Sequence, residues 1–213
     1  MTTGHPHVTQ ADEACALGSI GRVPTAGEYF VAAQELMADG DPSQVTIDAL
    51  CKRLGTTTGS FYHHFGSHAG FVEALVTDWV DRVERSLDRA TADAPDLAAS
   101  RRLIRDQTLH QPHQQEAAFR AWARTNPTVR AAVERVDELR IDIGRSIVQG
   151  VAPDLDAETA ETYSQMAQLL LIGAQTRHPG DAAQVAARSL AAFVALLEEA
   201  AAARSAARSG ASG

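Results

Sequence analysis

The chain has 213 residues, 45% of them hydrophobic, which is enough for a sizeable core in one large or two small domains. Its formal net charge of -8 excludes a generally basic nucleic-acid-binding surface. No apolar run approaches the ~20 residues that span a bilayer, and the N-terminus lacks a secretory signal pattern, so we expect a cytoplasmic protein with no membrane partner.

Apolar residues recur at helical spacing along most of the chain, and alanine is abundant, which together predict an all-α fold of about nine helices. Glycine and proline pairs mark the breaks between them. Helices are predicted at 24–40, 46–54, 57–64, 67–92, 96–109, 114–125, 127–149, 157–176 and 181–205.

Local residue types indicate where several of these helices begin and end. Thr46, Ser67 and Asp156 are suited to N-cap positions, because a short oxygen-bearing side chain accepts from the free amides of the first turn. Gly55 suits the left-handed position after a helix end. Two cysteines, Cys15 and Cys51, do not suggest a disulfide framework.

These elements predict four segments. Residues 1–22 have no periodic apolar face and are expected to form a flexible arm, and residues 207–213 a flexible tail. Between them we predict a three-helix head over 23–68 and a helical bundle over 69–206.

The most informative stretch is residues 45–75, VTIDALCKRLGTTTGSFYHHFGSHAGFVEAL. It contains two short helical patterns split by Gly55, followed by an aromatic and histidine run from Phe61 to Phe65. Two short helices joined by a tight turn are the geometry that places a helix in the DNA major groove. Phe61 and Phe65, four residues apart, can pack that helix onto its neighbours.

Residues 24–75 resemble the N-terminal DNA-binding domain of the TetR/AcrR family of transcriptional regulators. The resemblance rests on TAGEYFVAAQELMADG, on the threonine-capped VTIDALCKRLG, on TTTGSFYHHF and on SHAGFVEAL. It implies a homodimer formed through the last two helices. It also implies a small-molecule effector that releases a repressor from double-stranded operator DNA.

The resemblance further implies which residues meet DNA. Thr46 and Tyr62 would contact phosphates, while Thr57, Thr58 and Ser60 would face the major groove. Two further residues complete the predicted interface: His63 and His68.

The acidic charge of the predicted DNA-binding segment leaves a second interpretation of its function open. Residues 24–93 hold 11 acidic and 5 basic side chains, and Lys52 is the only lysine of the chain. Phosphate contacts normally use Arg, Lys, hydroxyls or backbone amides, so hydroxyls and helix N-termini must supply much of the binding here. The alternative is a helical ligand- or partner-binding protein of the same fold with weak or no DNA binding.

Two positions depart from the family pattern, since His68 and Thr58 stand where lysine or arginine is frequent. The histidines of this segment can gain charge beside phosphate, so we predict that DNA binding strengthens as the pH falls.

A regulatory bundle needs a cavity, and aromatic and methionine side chains suit an apolar effector. The alternative for each candidate is ordinary core packing. The predicted pocket residues are Trp79, Phe119, Arg120, Trp122, Tyr163 and Met166. We recognise no catalytic motif and no metal-ligand spacing on one helix, so no enzyme activity, metal or cofactor is predicted.

Overall fold

The computed structural model describes residues 23–38, 42–92 and 97–211, and within them every regular element is a helix. A single 3-10 turn, Pro42–Gln44, follows the first helix. The helices are α1 Ala26–Ala38, α2 Ile47–Leu54, α3 Thr58–Phe65, α4 His68–Ala92, α5 Leu97–His110, α6 His113–Ala123, α7 Pro127–Val151, α8 Ala157–Arg177 and α9 Ala182–Ala211. The predicted all-α fold is confirmed. None of the described helices is both long and apolar enough to cross a membrane.

The predicted caps explain the helix starts. The Thr46 hydroxyl accepts from the Ala49 amide at 3.2 Å, and the Ser67 hydroxyl accepts from the Gly70 amide at 3.0 Å. Gly55 has φ 61°, a conformation that glycine adopts without a Cβ clash. At α8, the Thr159 amide donates to Asp156 at 2.8 Å and holds the pKa of that carboxyl below its usual range.

The structure describes most of the predicted tail but none of the predicted arm. Residues 1–22, predicted as a flexible arm, lie outside the described residues, as does Cys15. At the other end α9 continues to Ala211, past the predicted end at 205 and into the predicted tail 207–213. The alanines of this segment favour helix, which outweighed the glycine and serine signals that predicted fraying.

The head is held together by an aromatic cluster. Tyr29 of α1 meets Phe61 of α3 edge-on at 5.7 Å, and Phe61 lies 5.4 Å from Phe71 of α4. Tyr29, Phe61 and Phe71 are fully buried. Cys51 is also buried in this core as a free thiol, and burial raises its pKa. The same hydrophobic core continues along α4 to Trp79 and into α6 and α7, so the head and the bundle share one core.

In the bundle, α7 packs between α4 and α8, and α9 packs on α8. One close approach between α7 and α8 depends on Gly144. A Cβ at this position would lie 2.2 Å from the Ser164 hydroxyl oxygen, so only glycine lets the two helices meet here without a shift.

Candidate nucleic-acid interface and bundle cavity

Helix α3 has one face fixed in the core. Its start is set by Thr57, whose hydroxyl accepts from the Ser60 amide at 3.3 Å. Phe61 is buried and Phe65 is half-buried, and both rings pack on Tyr29. The helix is therefore anchored through its inner side and presents a defined outer side.

That outer side carries most of the residues predicted to contact DNA. Thr57, Thr58, Tyr62 and His63 are exposed, and Tyr62 keeps 51% of its surface accessible. Exposed hydroxyl and imidazole groups on a short anchored helix can donate to phosphates or touch base edges. Thr46, at the start of α2, is also exposed.

Ser60 differs from the other predicted groove residues. It is only partly exposed, and its hydroxyl oxygen accepts a hydrogen bond from the Tyr29 hydroxyl at 3.2 Å. The side chain is therefore directed towards α1. This contact involves residues far apart in the chain, and no local sequence signal could have indicated it.

His68 is likewise engaged within the protein. It is half-buried, and its Nε2 donates to the Val45 carbonyl oxygen at 2.8 Å. The bond connects the first turn of α4 to the residue that precedes the α2 cap. His68 therefore positions two elements of the head, a role that the sequence did not reveal.

Acidic residues are distributed unevenly in the head. Between Asp48 and Glu73 the sequence contains Lys52 and Arg53 but no carboxylate. Arg53 makes an exposed ion pair with Glu35 at 2.7 Å. The outer side of α3 therefore carries no acidic side chain of its own that would repel phosphate.

A cavity of about 340 Å³ lies inside the bundle, bordered by α4 to α9. Its walls are predominantly aliphatic and aromatic side chains from α4, α7, α8 and α9. These are Trp79, Val83, Leu87, Ile143, Ile147, Val148, Val151, Leu171, Leu190, Phe193, Val194 and Leu197. Its size and apolar walls fit a small organic molecule.

One side of the cavity is a buried polar network around Glu116 of α6. Glu116 is 1% exposed, and its carboxylate accepts from Arg140 of α7 through both terminal nitrogens, one at 2.9 Å. Gln175 of α8 donates to the same carboxylate at 2.7 Å, and Arg140 also donates to Gln111 at 3.0 Å. The buried charges are thus paired, as their burial requires.

Residues 30–75 match the sequence profile described as "Bacterial regulatory proteins, tetR family". The matched segment runs from α1 into the first turns of α4, so the head is similar to the N-terminal domains of that family.

Solved structures show that the likeness in fold extends through the bundle. A transcriptional regulator from Rhodococcus sp. RHA1 superposes with a TM-score of 0.68 at 15% identity, covering 83% of this chain and 97% of its own. A TetR regulator from Haloarcula marismortui gives 0.67 at 17%, covering 80% and 96%. A TetR-family regulator from Agrobacterium tumefaciens gives 0.65 at 20%, covering 79% and 95%. No curated protein matches the sequence.

Within this TetR fold, the predicted effector residues are scattered. Trp79 lines the cavity and stacks on Phe119, with ring centroids 4.4 Å apart, but Phe119 lies in the core behind it. Trp122 is also a core residue outside the lining. Arg120 makes a bidentate ion pair with Asp137.

The remaining two predicted pocket residues lie on α8, outside the cavity lining. Tyr163 packs in a small satellite cluster near Phe193, and Met166 is 45% exposed. Five of the six predicted pocket residues therefore lie outside the cavity lining. Helix α8 has apolar residues on more than one side, so residue type alone did not indicate which side faces the cavity.

Proposed function

We propose that this chain is a ligand-responsive transcriptional regulator of the TetR family that represses by binding operator DNA and is released by a small molecule. In this proposal residues 23–68 read DNA, with α3 in the major groove. Residues 69–206 bind the effector and form the homodimer.

The observation that carries the proposal is the path of α4. Its first turns belong to the head, where Phe71 is buried against α1 and α3. Its later turns, from Trp79 to Leu87, line the cavity. One rigid helix therefore touches both the candidate effector and the support of α3.

A ligand that fits the cavity better when α4 has one particular tilt stabilises that tilt. The tilt of α4 in turn sets the spacing between the two α3 helices of the dimer. Moving a population from 1:99 to 99:1 needs a differential affinity of about 5.5 kcal/mol. A mostly apolar cavity supplies this only if its shape differs between the two states.

The dimer is supported by an apolar surface on α8 and α9. Met166, Leu169, Leu170 and Leu196 are exposed, and Leu169 and Leu196 each keep about two-thirds of their surface accessible. Gly173 on α8 is also exposed, with nothing within 4 Å of a Cβ built there, which would allow a partner helix to approach closely. Large exposed apolar patches on soluble proteins mark interaction sites.

Leu169→Glu is expected to convert the dimer into a monomer, because it buries an unpaired charge at the proposed interface. Sedimentation velocity measures this, and operator affinity should fall with it, since two half-sites are no longer held together. Leu109→Glu, at a partly exposed leucine on α5, is the control and should leave the dimer intact. A dimeric Leu169→Glu variant would contradict this interface.

Operator affinity is expected to rise as the pH falls from about 8 to about 6, the range in which histidine side chains generally titrate. His63 and His64 are exposed on α3, where protonation would add positive charge beside phosphate. Because the protonated form binds more tightly, lowering the pH favours the complex. His63→Gln should weaken the effect, and an affinity that stays flat over this range would reject it.

Genome-wide mapping of bound DNA tests the function as a whole. We expect a small set of sites sharing a palindromic sequence, because a two-fold dimer presents two copies of α3 about one or more helical turns apart. Bound sites with no shared sequence would favour the rival, a helical binding protein of this fold with little DNA binding. The acid-rich head and its single lysine are the features that favour that rival.

A further inference from the structure

The indole N–H of Trp79 is a buried hydrogen-bond donor that no described residue accepts from. Trp79 is 2% exposed and lines the cavity, and its Nε1 has no hydrogen-bond partner among the described residues. The indole stacks on Phe119 at an interplanar angle of 21°, which fixes the orientation of the N–H. Buried indole N–H groups usually have an acceptor, so this donor indicates a ligand group.

Arg82 provides a second such donor one turn further along α4. Its Nε donates to Asp78 at 2.9 Å, while its Nη2 is buried without a partner among the described residues. Residues three apart on a helix share a face, and Trp79 and Arg82 both line the cavity. Two donors without a partner among the described residues therefore lie in the wall of the same cavity.

The charges around the cavity restrict what an acceptor for these donors can be. Arg82 is paired with Asp78, and Arg140 is paired with Glu116 and also donates to Gln111. Each arginine in the wall thus already has a carboxylate partner. A ligand carboxylate would lose its hydration in the apolar cavity and would find no unpaired positive charge there. A neutral oxygen would not incur this desolvation cost.

We propose that the effector is a mostly apolar molecule with a neutral carbonyl group. Its oxygen accepts from Trp79 Nε1 and Arg82 Nη2, and its apolar body packs among side chains of α7, α8 and α9 such as Ile147, Leu171 and Phe193. The term effector rests on the proposed function, whereas the ligand chemistry rests on the cavity.

Three matched probes test this chemistry on the full chain: butyrophenone, butylbenzene and phenylbutanoate. The first two share a skeleton and differ in the carbonyl. We expect butyrophenone to bind about tenfold more tightly than butylbenzene, the factor expected from a hydrogen bond to an otherwise unpaired donor. It should also bind more tightly than the anionic phenylbutanoate. Affinities are measured by calorimetry and by the two indole N–H signals in nitrogen-15 NMR.

Trp79→Phe is expected to lower the preference for butyrophenone over butylbenzene at least about threefold, because an aromatic ring remains, the N–H is lost and Arg82 still donates. Trp122→Phe, at the other tryptophan, lies outside the cavity lining and should keep the preference. If Trp79→Phe does not fold, the wild-type spectrum decides. Butyrophenone should shift the Trp79 indole proton downfield, and butylbenzene at equal occupancy should not.

The inference is overturned if the ketone is not preferred, if the preference is undiminished in Trp79→Phe, if the carboxylate binds best, or if no probe binds. DNA binding by the ligand-free protein is measured separately. Retained operator binding without a ketone preference rejects the carbonyl chemistry alone. A ketone preference in a protein that binds no DNA rejects the regulatory function alone.

Discussion

Replacing Thr58 and Tyr62 together by alanine is expected to lower operator affinity by at least about 100-fold, because each contact to a base or phosphate is lost in both half-sites. Both side chains are exposed on the outer side of α3, and neither belongs to the buried core. The dimer and its thermal unfolding should therefore remain as in the wild type, since exposed positions have small effects on stability. Fluorescence anisotropy with operator DNA measures the loss.

Thr128→Ala is the matched control, because Thr128 is another exposed threonine in the first turn of a helix, at the start of α7. It should leave operator affinity unchanged. A double variant that still binds operator like the wild type would show that α3 does not read the DNA.

Arg140→Met is expected to destabilise the fold by about 3–5 kcal/mol, because it leaves the Glu116 carboxylate buried without its charged partner. Glu116 is 1% exposed and Arg140 12%. A loss of this size is a large fraction of the roughly 5–15 kcal/mol that stabilise a typical protein. The free energy of unfolding in urea, measured with the far-UV signal, gives the difference.

The matched control lies on the same helix. Arg135 pairs with Glu84 at 3.5 Å, with both side chains about half exposed, so Arg135→Met should cost less than about 1 kcal/mol. Adding Glu116→Gln to Arg140→Met should restore part of the stability, since the unpaired charge disappears. Equal losses for the two arginines would contradict the account of a buried ion pair.

The head could be predicted from sequence because its signals are local. Thr46, Gly55 and Ser67 sit at helix ends, where a single residue type satisfies or releases specific backbone groups. The spacing of Phe61 and Phe65 then indicates which side of α3 is buried, and the structure agrees. The exposed positions of Thr58 and Tyr62 follow from the same helical geometry.

The cavity could not be predicted in the same way, because it depends on which sides of several helices meet. Arg120 forms an ion pair with Asp137, 17 residues away on α7, and no local sequence pattern predicts this pair. Met166 lies on the exposed side of α8, whereas Leu171 of the same helix faces the cavity. The hydrogen bond from His68 to Val45 is a tertiary contact of the same kind.

The proposed function requires that this chain binds specific DNA through α3. The most direct test is a mobility-shift titration of the wild-type protein with DNA from upstream of its own coding sequence, at low salt and with excess unrelated competitor DNA. A discrete complex that resists the competitor is the predicted result. The absence of a shift at every protein concentration and salt condition would contradict the proposed function.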